Sequence, residues 1–527
     1  MNAQLAQGFA LLPGYLAGHV ALSAAALLLG LAMGLPLALL AARSPRVRWP
    51  VMAFASLVQT IPSLALLALF YPLLLALSAL ARATLGHGFP ALGFLPSLLA
   101  LALYALLPIL RNGVAGLTGV DPAVREAALG VGMTERQRLF QVEIPLAAPV
   151  VMAGVRTATV WVIGGATLST AVGWSSLGDY IFAGLQTENW VLVLFGCAAS
   201  AILALVADQL LALIEVGLAK RSRRRLIGGG AGLLAGVLLV LAPKMSVGMG
   251  MAGSGPAYVI GAKNFSEQYI LADLLGRRLQ ADGARVSQRS NLGSAIAFRA
   301  LAAGDIDVYV DYSGTLWTNV LGHADVPPRA VLLARMTREL KTRFGVETLG
   351  ALGFENAYAL AMRRARAQAL GVATLADLAP RAPSLVLGSD LEFLSRPEWR
   401  AIQTAYGLAF KAQRRFQPTF MYGALRDGEV GVISAFSSDG RIAADDLVTL
   451  ADPKAAAPSY DAVVLISPKR AGDGRLRSAL RPLIGAIPVE RMRAANLTVD
   501  RDRNKLTPAQ AAAALDAQIA GPRIARR

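Results

Sequence analysis

Few residues in this sequence are arranged to do bond-making chemistry. Neither a Gly-x-Ser-x-Gly elbow nor an HExxH helix occurs, so an activated serine and a helical zinc pair are both missing. His19, His87 and His323 are scattered without metal-ligand spacing and read as plain surface or interface residues; no metal site is expected. Cys197 is the single cysteine and lies in an apolar run, so an exported domain must be held together by its core alone. A Gly-x4-Gly-Lys-Ser/Thr loop is absent, so ATP must be hydrolysed by another chain, and no cofactor is expected in this one. Together these features argue against an enzyme. What the residue types do support is docking, in the stretch Asp121 to Pro145, DPAVREAALGVGMTERQRLFQVEIP. Asp121 suits a helix N-cap with Pro122 at the first helical position, where its missing N–H is harmless. Gly130 and Gly132 permit a turn, Thr134 with Gln137 reads as a capping box, and Pro145 is expected to end a second short helix. Two short helices at a sharp angle make a knob that fits a socket on another protein.

The elements around the knob are membrane spans. The sequence is 55% hydrophobic and 16% charged, against about 25% charged in a soluble protein. Charged residues are sparse before Lys220 and frequent after Lys263, which divides the chain into a membrane half and a water-soluble half. A net charge of +17 invites a nucleic-acid reading, yet many basic residues flank apolar runs, where they fix orientation, and no nucleic-acid motif accompanies them. Apolar spans are expected at about 15–42, 51–77, 95–117, 146–171, 191–218 and 226–242. Arg43, Arg46, Arg48 and the cluster Lys220, Arg221, Arg223, Arg224 and Arg225 mark cytoplasmic ends. The N-terminus and everything after the sixth span are then external, and the knob is cytoplasmic. Trp174, Tyr180 and Trp190 read as interfacial anchors. Lys244 to Pro256 reads as a Gly-rich flexible linker.

From Tyr258 onward short β-type runs (YVIGA, DIDVYV, SLVLGS, EVGVISAF, DAVVLIS) alternate with amphipathic helical stretches such as Ser266 to Leu279. This alternation predicts an α/β domain. The domains expected are therefore residues 1–225 in the membrane, 226–256 as an extra span with linker, and 257–527 outside.

The knob also carries a family signature. Glu126, Ala127, Ala128, Gly132, Val142, Ile144 and Pro145, at their spacing, resemble the EAA loop (121–145) of ABC importer permeases, which implies a type I permease bundle and docking onto a cytoplasmic ATPase subunit that holds ATP and Mg. The runs Gly261 to Gln268, Asp311 to Thr315 and Ala435 to Gly440 resemble the glycine betaine/choline substrate-binding proteins of osmoprotectant importers. The resemblance covers nearly the whole chain and matches variants with permease and binding domain fused. It implies a two-lobed, type II periplasmic-binding-protein-like domain with two crossovers, placed by analogy near Asn356 and Tyr460. Lobe one would be 257–355 plus 461–527, and lobe two 356–460. It further implies an aromatic cage of Tyr312, Tyr358, Phe436 and Tyr460 around a quaternary ammonium, with Lys263, Thr315 and Arg396 meeting a ligand carboxylate. A trimethylammonium has no N–H to donate, so aromatic faces must hold it. Phe436 stands where relatives often have tyrosine, and Pro397-Glu398-Trp399 where they often have Pro-Asp-Gly, which opens the site to ergothioneine, carnitine or choline as well as glycine betaine. The partners implied are the ATPase, a second copy of this chain, the small ligand and the bacterial inner membrane. A membrane-tethered solute receptor is the rival from another class, but the cytoplasmic side offers no output domain and the knob would lack a purpose.

Overall fold

The computed structural model describes residues 3–187, 189–249, 255–390, 393–416, 418–456, 458–501 and 504–520. Two compact units divide the chain at Ala252/Gly253, with Ala183–Trp190 grouped with the second unit.

The first unit is helical, and six of its segments are long and apolar enough to cross a membrane: Gly8–Arg43, Ser63–Leu85, Phe94–Thr118, Glu135–Val172, Trp190–Ala219 and Arg223–Ala242. The second differs from the expectation. Pro62 interrupts the run begun at Val51, leaving a separate helix Pro45–Thr60 before the span Ser63–Leu85. Proline supplies no N–H and crowds the preceding turn, so the helix stops at Thr60 and restarts beyond it.

Three more expectations are corrected here. Tyr180 is not an interfacial anchor: it is buried, donates to the Gly8 carbonyl at 2.5 Å and lies edge-on to Tyr15 at 4.9 Å. Trp174 is half-buried and donates its indole N–H to Gly18 O at 3.0 Å. His19 is no surface residue but a buried one, 3.0 Å from Ile163 O through Nε2. The expected linker is helical from Lys244 through Met249, and residues 250–254 lie outside the described residues. Arg156 of the fourth span is held by Asp208 at 2.9 and 2.8 Å and by Glu215 at 2.8 Å, both in the fifth span. A guanidinium among apolar helices is tolerable only with counter-charges beside it.

The second unit is α/β and two-lobed. Its strands are β1 (Ala257–Lys263), β2 (Arg285–Leu292), β3 (Val308–Tyr312), β4 (Glu347–Glu355), β5 (Tyr358–Arg363), β6 (Val386–Ser389), β7 (Ala412–Arg415), β8 (Val432–Phe436), β9 (Leu447–Thr449) and β10 (Asp461–Ile466). One sheet has the order β2-β1-β3-β10-β4 and the other β7-β6-β8-β5-β9. The chain leaves the first sheet after Glu355 and returns at Asp461, and the two connections touch through Asn356 N–H to Tyr460 O at 2.9 Å. In the first sheet β1 is parallel to β2 and β3, whereas β10 runs antiparallel to β3 and β4. Consequently the ends of β1 and β3 and the start of β10 share one edge: Tyr312 pairs with Ala462, two residues beyond Tyr460. The second sheet does the same with the start of β5 and the end of β8, where Tyr358 pairs with Phe436. Each sheet has its own apolar core, one around Ile260, Val310, Val464 and Leu275, the other around Leu360, Leu387, Val432 and Ile433.

Candidate binding site and docking knob

Strand pairing gathers ring-bearing residues at one edge of each sheet, and the rings of the two edges meet across the crossovers. Tyr312 faces Phe265 at 6.1 Å between ring centroids, and Phe265 lies parallel to Phe436 at 6.2 Å. Phe436 meets Tyr358 at 4.8 Å, and Tyr358 stands edge-on to Tyr460 at 6.1 Å. Tyr312 and Phe265 come from the first lobe, Tyr358 and Phe436 from the second, and Tyr460 from the crossover that returns to the first sheet. Four of the five were expected. Phe265 was not, although its place between a strand end and a helix start marked it. Gly314 lies so close under Tyr460 that a Cβ there would come within 2.5 Å of the ring.

Two tyrosine hydroxyls are fixed by buried carboxyls, Glu267 and Glu398, neither of which was expected as a binding residue. Tyr312 donates to Glu267 Oε1 at 2.6 Å and accepts from Gln268 Nε2 at 3.0 Å. Asn356 and Asn496 also donate to Glu267, at 2.9 and 2.8 Å. Burial pushes the Glu267 carboxyl up, and these donors pull it partly back. Tyr460 donates to Glu398, which also accepts from Thr318 Oγ1 at 2.9 Å. Burial first, then the facing carboxylate, drives both phenols well above their ordinary range, so they stay protonated donors.

The cations expected at the ligand carboxylate are placed differently from one another. Lys263 is 3% exposed and its ammonium is already neutralised by Asp311; it lies 5.2 Å over the Tyr312 ring. A buried lysine requires such a partner, so its nearest duty is to hold β1 to β3. Arg396 lies 5.1 Å over the Tyr358 ring and 3.9 Å from Glu398 Oε1. Thr315 is buried in the turn directly after Tyr312.

Another buried carboxyl, Asp500, accepts from Ser266 Oγ at the start of helix Ser266–Ala281 and is raised to about 7, chiefly by burial. Its native pKa therefore exceeds the unfolded value of about 3.9. Such an acid binds more protons folded than unfolded, so it lowers stability as pH rises from about 4 to 7 and keeps that cost above 7. Asp500→Asn is expected to raise the unfolding temperature of the binding unit at pH 8 and to leave it nearly unchanged at pH 4, as read by scanning fluorimetry. An equal shift at both values would show that ionisation is not the cause.

The knob is built largely as its residues dictate. Asp121 Oδ1 accepts from Ala123 N–H at 2.8 Å to cap helix Pro122–Gly130. Gly132 turns at φ 80°, and Thr134 with Gln137 forms the capping box. Pro145, however, does not end the second helix. Helix Glu135–Arg138 passes through a π-helical turn, Leu139–Glu143, straight into Ile144–Ala166. In that turn Ile144 N–H reaches back to Leu139 O, and the wider turn absorbs the donor that Pro145 lacks. Glu143 is buried and ties the two helices through Arg125 at 3.5 Å and Arg138 at 3.1 Å. Glu126, Ala127, Gly132, Ile144 and Pro145 are exposed, Val142 is half-buried and Ala128 is buried. Leu129, Val131 and Phe140 are exposed apolar neighbours, Val131 to 75%.

Comparison with known proteins fits this division. Residues 34–220 match the family described as the inner-membrane component of binding-protein-dependent transport systems. Residues 256–518 match the substrate-binding domain of ABC-type glycine betaine transport systems. The chain belongs to the ABC importer permeases, in the form that carries its own substrate-binding domain of the glycine betaine type, and it is a multi-pass inner-membrane protein. The ergothioneine transport permease/ergothioneine binding protein of Helicobacter pylori (strain G27) is 28% identical over 430 residues, 79% of this chain and 73% of that protein. The choline transport system permease protein of Bacillus subtilis (strain 168) is 38% identical over 208 residues, 40% of this chain and 88% of that protein. A crystal structure of a glycine betaine/carnitine/choline ABC transporter aligns with 49% of this chain and 96% of its own, at 28% identity and a TM-score of 0.44.

Proposed function

We propose that this chain is the permease and substrate-binding subunit of an ATP-driven importer of small quaternary ammonium compounds. The observation that carries the reading is the meeting of five aromatic rings from both lobes at the facing sheet edges. Aromatic faces attract a diffuse cation at about 0.5–2 kcal/mol each and give its methyl groups apolar contact. Tyr312, Tyr358, Phe436 and Tyr460, with Phe265 added, hold the ammonium. Arg396 and Thr315 stand at the carboxylate end, and Lys263 acts through Asp311 to fix the floor. The candidate ligands are choline, carnitine, ergothioneine and glycine betaine. The external domain closes on the solute by a hinge motion and passes it to a path enclosed by two copies of this chain. Glu126, Ala127, Ala128, Gly132, Val142, Ile144 and Pro145 engage a cytoplasmic ATPase, which binds ATP and Mg. Proteoliposomes carrying this chain and its ATPase test the reading: ATP-dependent accumulation of a radiolabelled member of that set is expected. Solute binding with no accumulation would instead make the chain a receptor.

A further inference from the structure

Glu398 is a buried cleft-side carboxyl whose bonding is left half-finished. Its side chain is wholly buried, and its Oε1 already accepts from Tyr460 and from Thr318 at 2.9 Å. Its Oε2 is equally shut off from solvent and has no hydrogen-bond partner among the described residues. The guanidinium of Arg396 stands 3.9 Å from Oε1, beyond hydrogen-bond reach. Buried carboxylate oxygens are normally satisfied, and one left over beside a ligand site points to a donor supplied from outside the chain. Tyr460 is one of the rings of the proposed cage, so this carboxyl stands next to one of its walls.

We propose that Glu398 sets ligand choice: its Oε2 accepts a hydrogen bond from the ligand, so the site favours trimethylammonium compounds bearing an O–H or a ring N–H. The inference rests on the quaternary ammonium reading above. Choline and carnitine offer a hydroxyl, and ergothioneine offers an imidazole-thione N–H. Glycine betaine has no donor of either kind. A hydrogen bond to a charged acceptor corresponds to about tenfold or more in affinity.

Calorimetry on the purified full-length chain in detergent, with choline, carnitine, ergothioneine and glycine betaine in turn, tests this. At least one donor-bearing compound is expected to bind about tenfold or more tighter than glycine betaine. In Glu398→Gln the amide keeps an oxygen for Tyr460 and Thr318 but turns an NH2 where the ligand's donor must go. That variant is expected to lose the tenfold preference while glycine betaine binds unchanged or tighter. A wild type that prefers glycine betaine overturns the inference alone. So does a variant that weakens all four ligands equally, because that marks a role only in joining the lobes. A wild type that binds none of the four overturns the quaternary ammonium reading as well. Should Glu398→Gln fail to fold, the wild-type ranking still decides.

Discussion

Tyr312→Ala is expected to weaken binding of a trimethylammonium ligand by about 1–3 kcal/mol, the sum of a lost cation–π face and lost apolar burial. The ring ends β3, is held against Phe265 at 6.1 Å and is fixed in rotation by its 2.6 Å hydrogen bond to Glu267. Truncation therefore removes the face and also takes one donor from a buried carboxyl. Tyr312→Phe separates the two: it keeps the face, loses only the hydroxyl, and should fall between wild type and alanine in calorimetry on the full chain. Unchanged affinity in the alanine variant would remove Tyr312 from the cage.

The second large effect is expected at the knob. Leu129, Val131 and Phe140 expose apolar surface beside the Glu126 segment, on a scaffold stiffened by Glu143 between Arg125 and Arg138. Interface anchors of this kind cost about 2 kcal/mol or more when spoiled. Val131→Asp, at the most exposed of the three, should break co-purification with the ATPase and abolish ATP-driven uptake in proteoliposomes. Ligand affinity should stay the same, because the change is confined to a turn of the membrane unit. Full uptake by that variant would sink the docking role of this surface.

How much of this was legible from sequence depended on whether a residue's role was local. The knob's caps were readable because Asp121, Thr134 and Gln137 bond within three residues of themselves. The spans were readable from apolar length, apart from the cut at Pro62, where one proline outweighed a continuous hydrophobic run. The apolar strands β1, β3, β6, β8 and β10 stood out, whereas β7 is wholly exposed and polar at a sheet edge, with no alternation to betray it. Tyr180 looked like an anchor because an aromatic beside a span is ambiguous until the chain's first helix is seen to cover it. The roles of Glu267 and Glu398 were hidden for the same reason: their tyrosine partners lie 45 and 62 residues away, and only the folded chain shows that they face each other. Pro145 misled because a π turn can accommodate a proline that an ordinary turn would reject.

The contact between the two crossovers carries one more consequence. Asn356 and Tyr460 are joined backbone to backbone, and the neighbouring positions supply Tyr358 and the Tyr460 ring itself. The crossovers that join the lobes and two rings of the proposed cage are thus the same few links of chain. A small swing there spoils the geometry of the bite at once, long before the far rims of the lobes have parted. On the proposed reading, release would need only a slight loosening at the axle, and a change to either tyrosine should alter how readily the empty jaws gape.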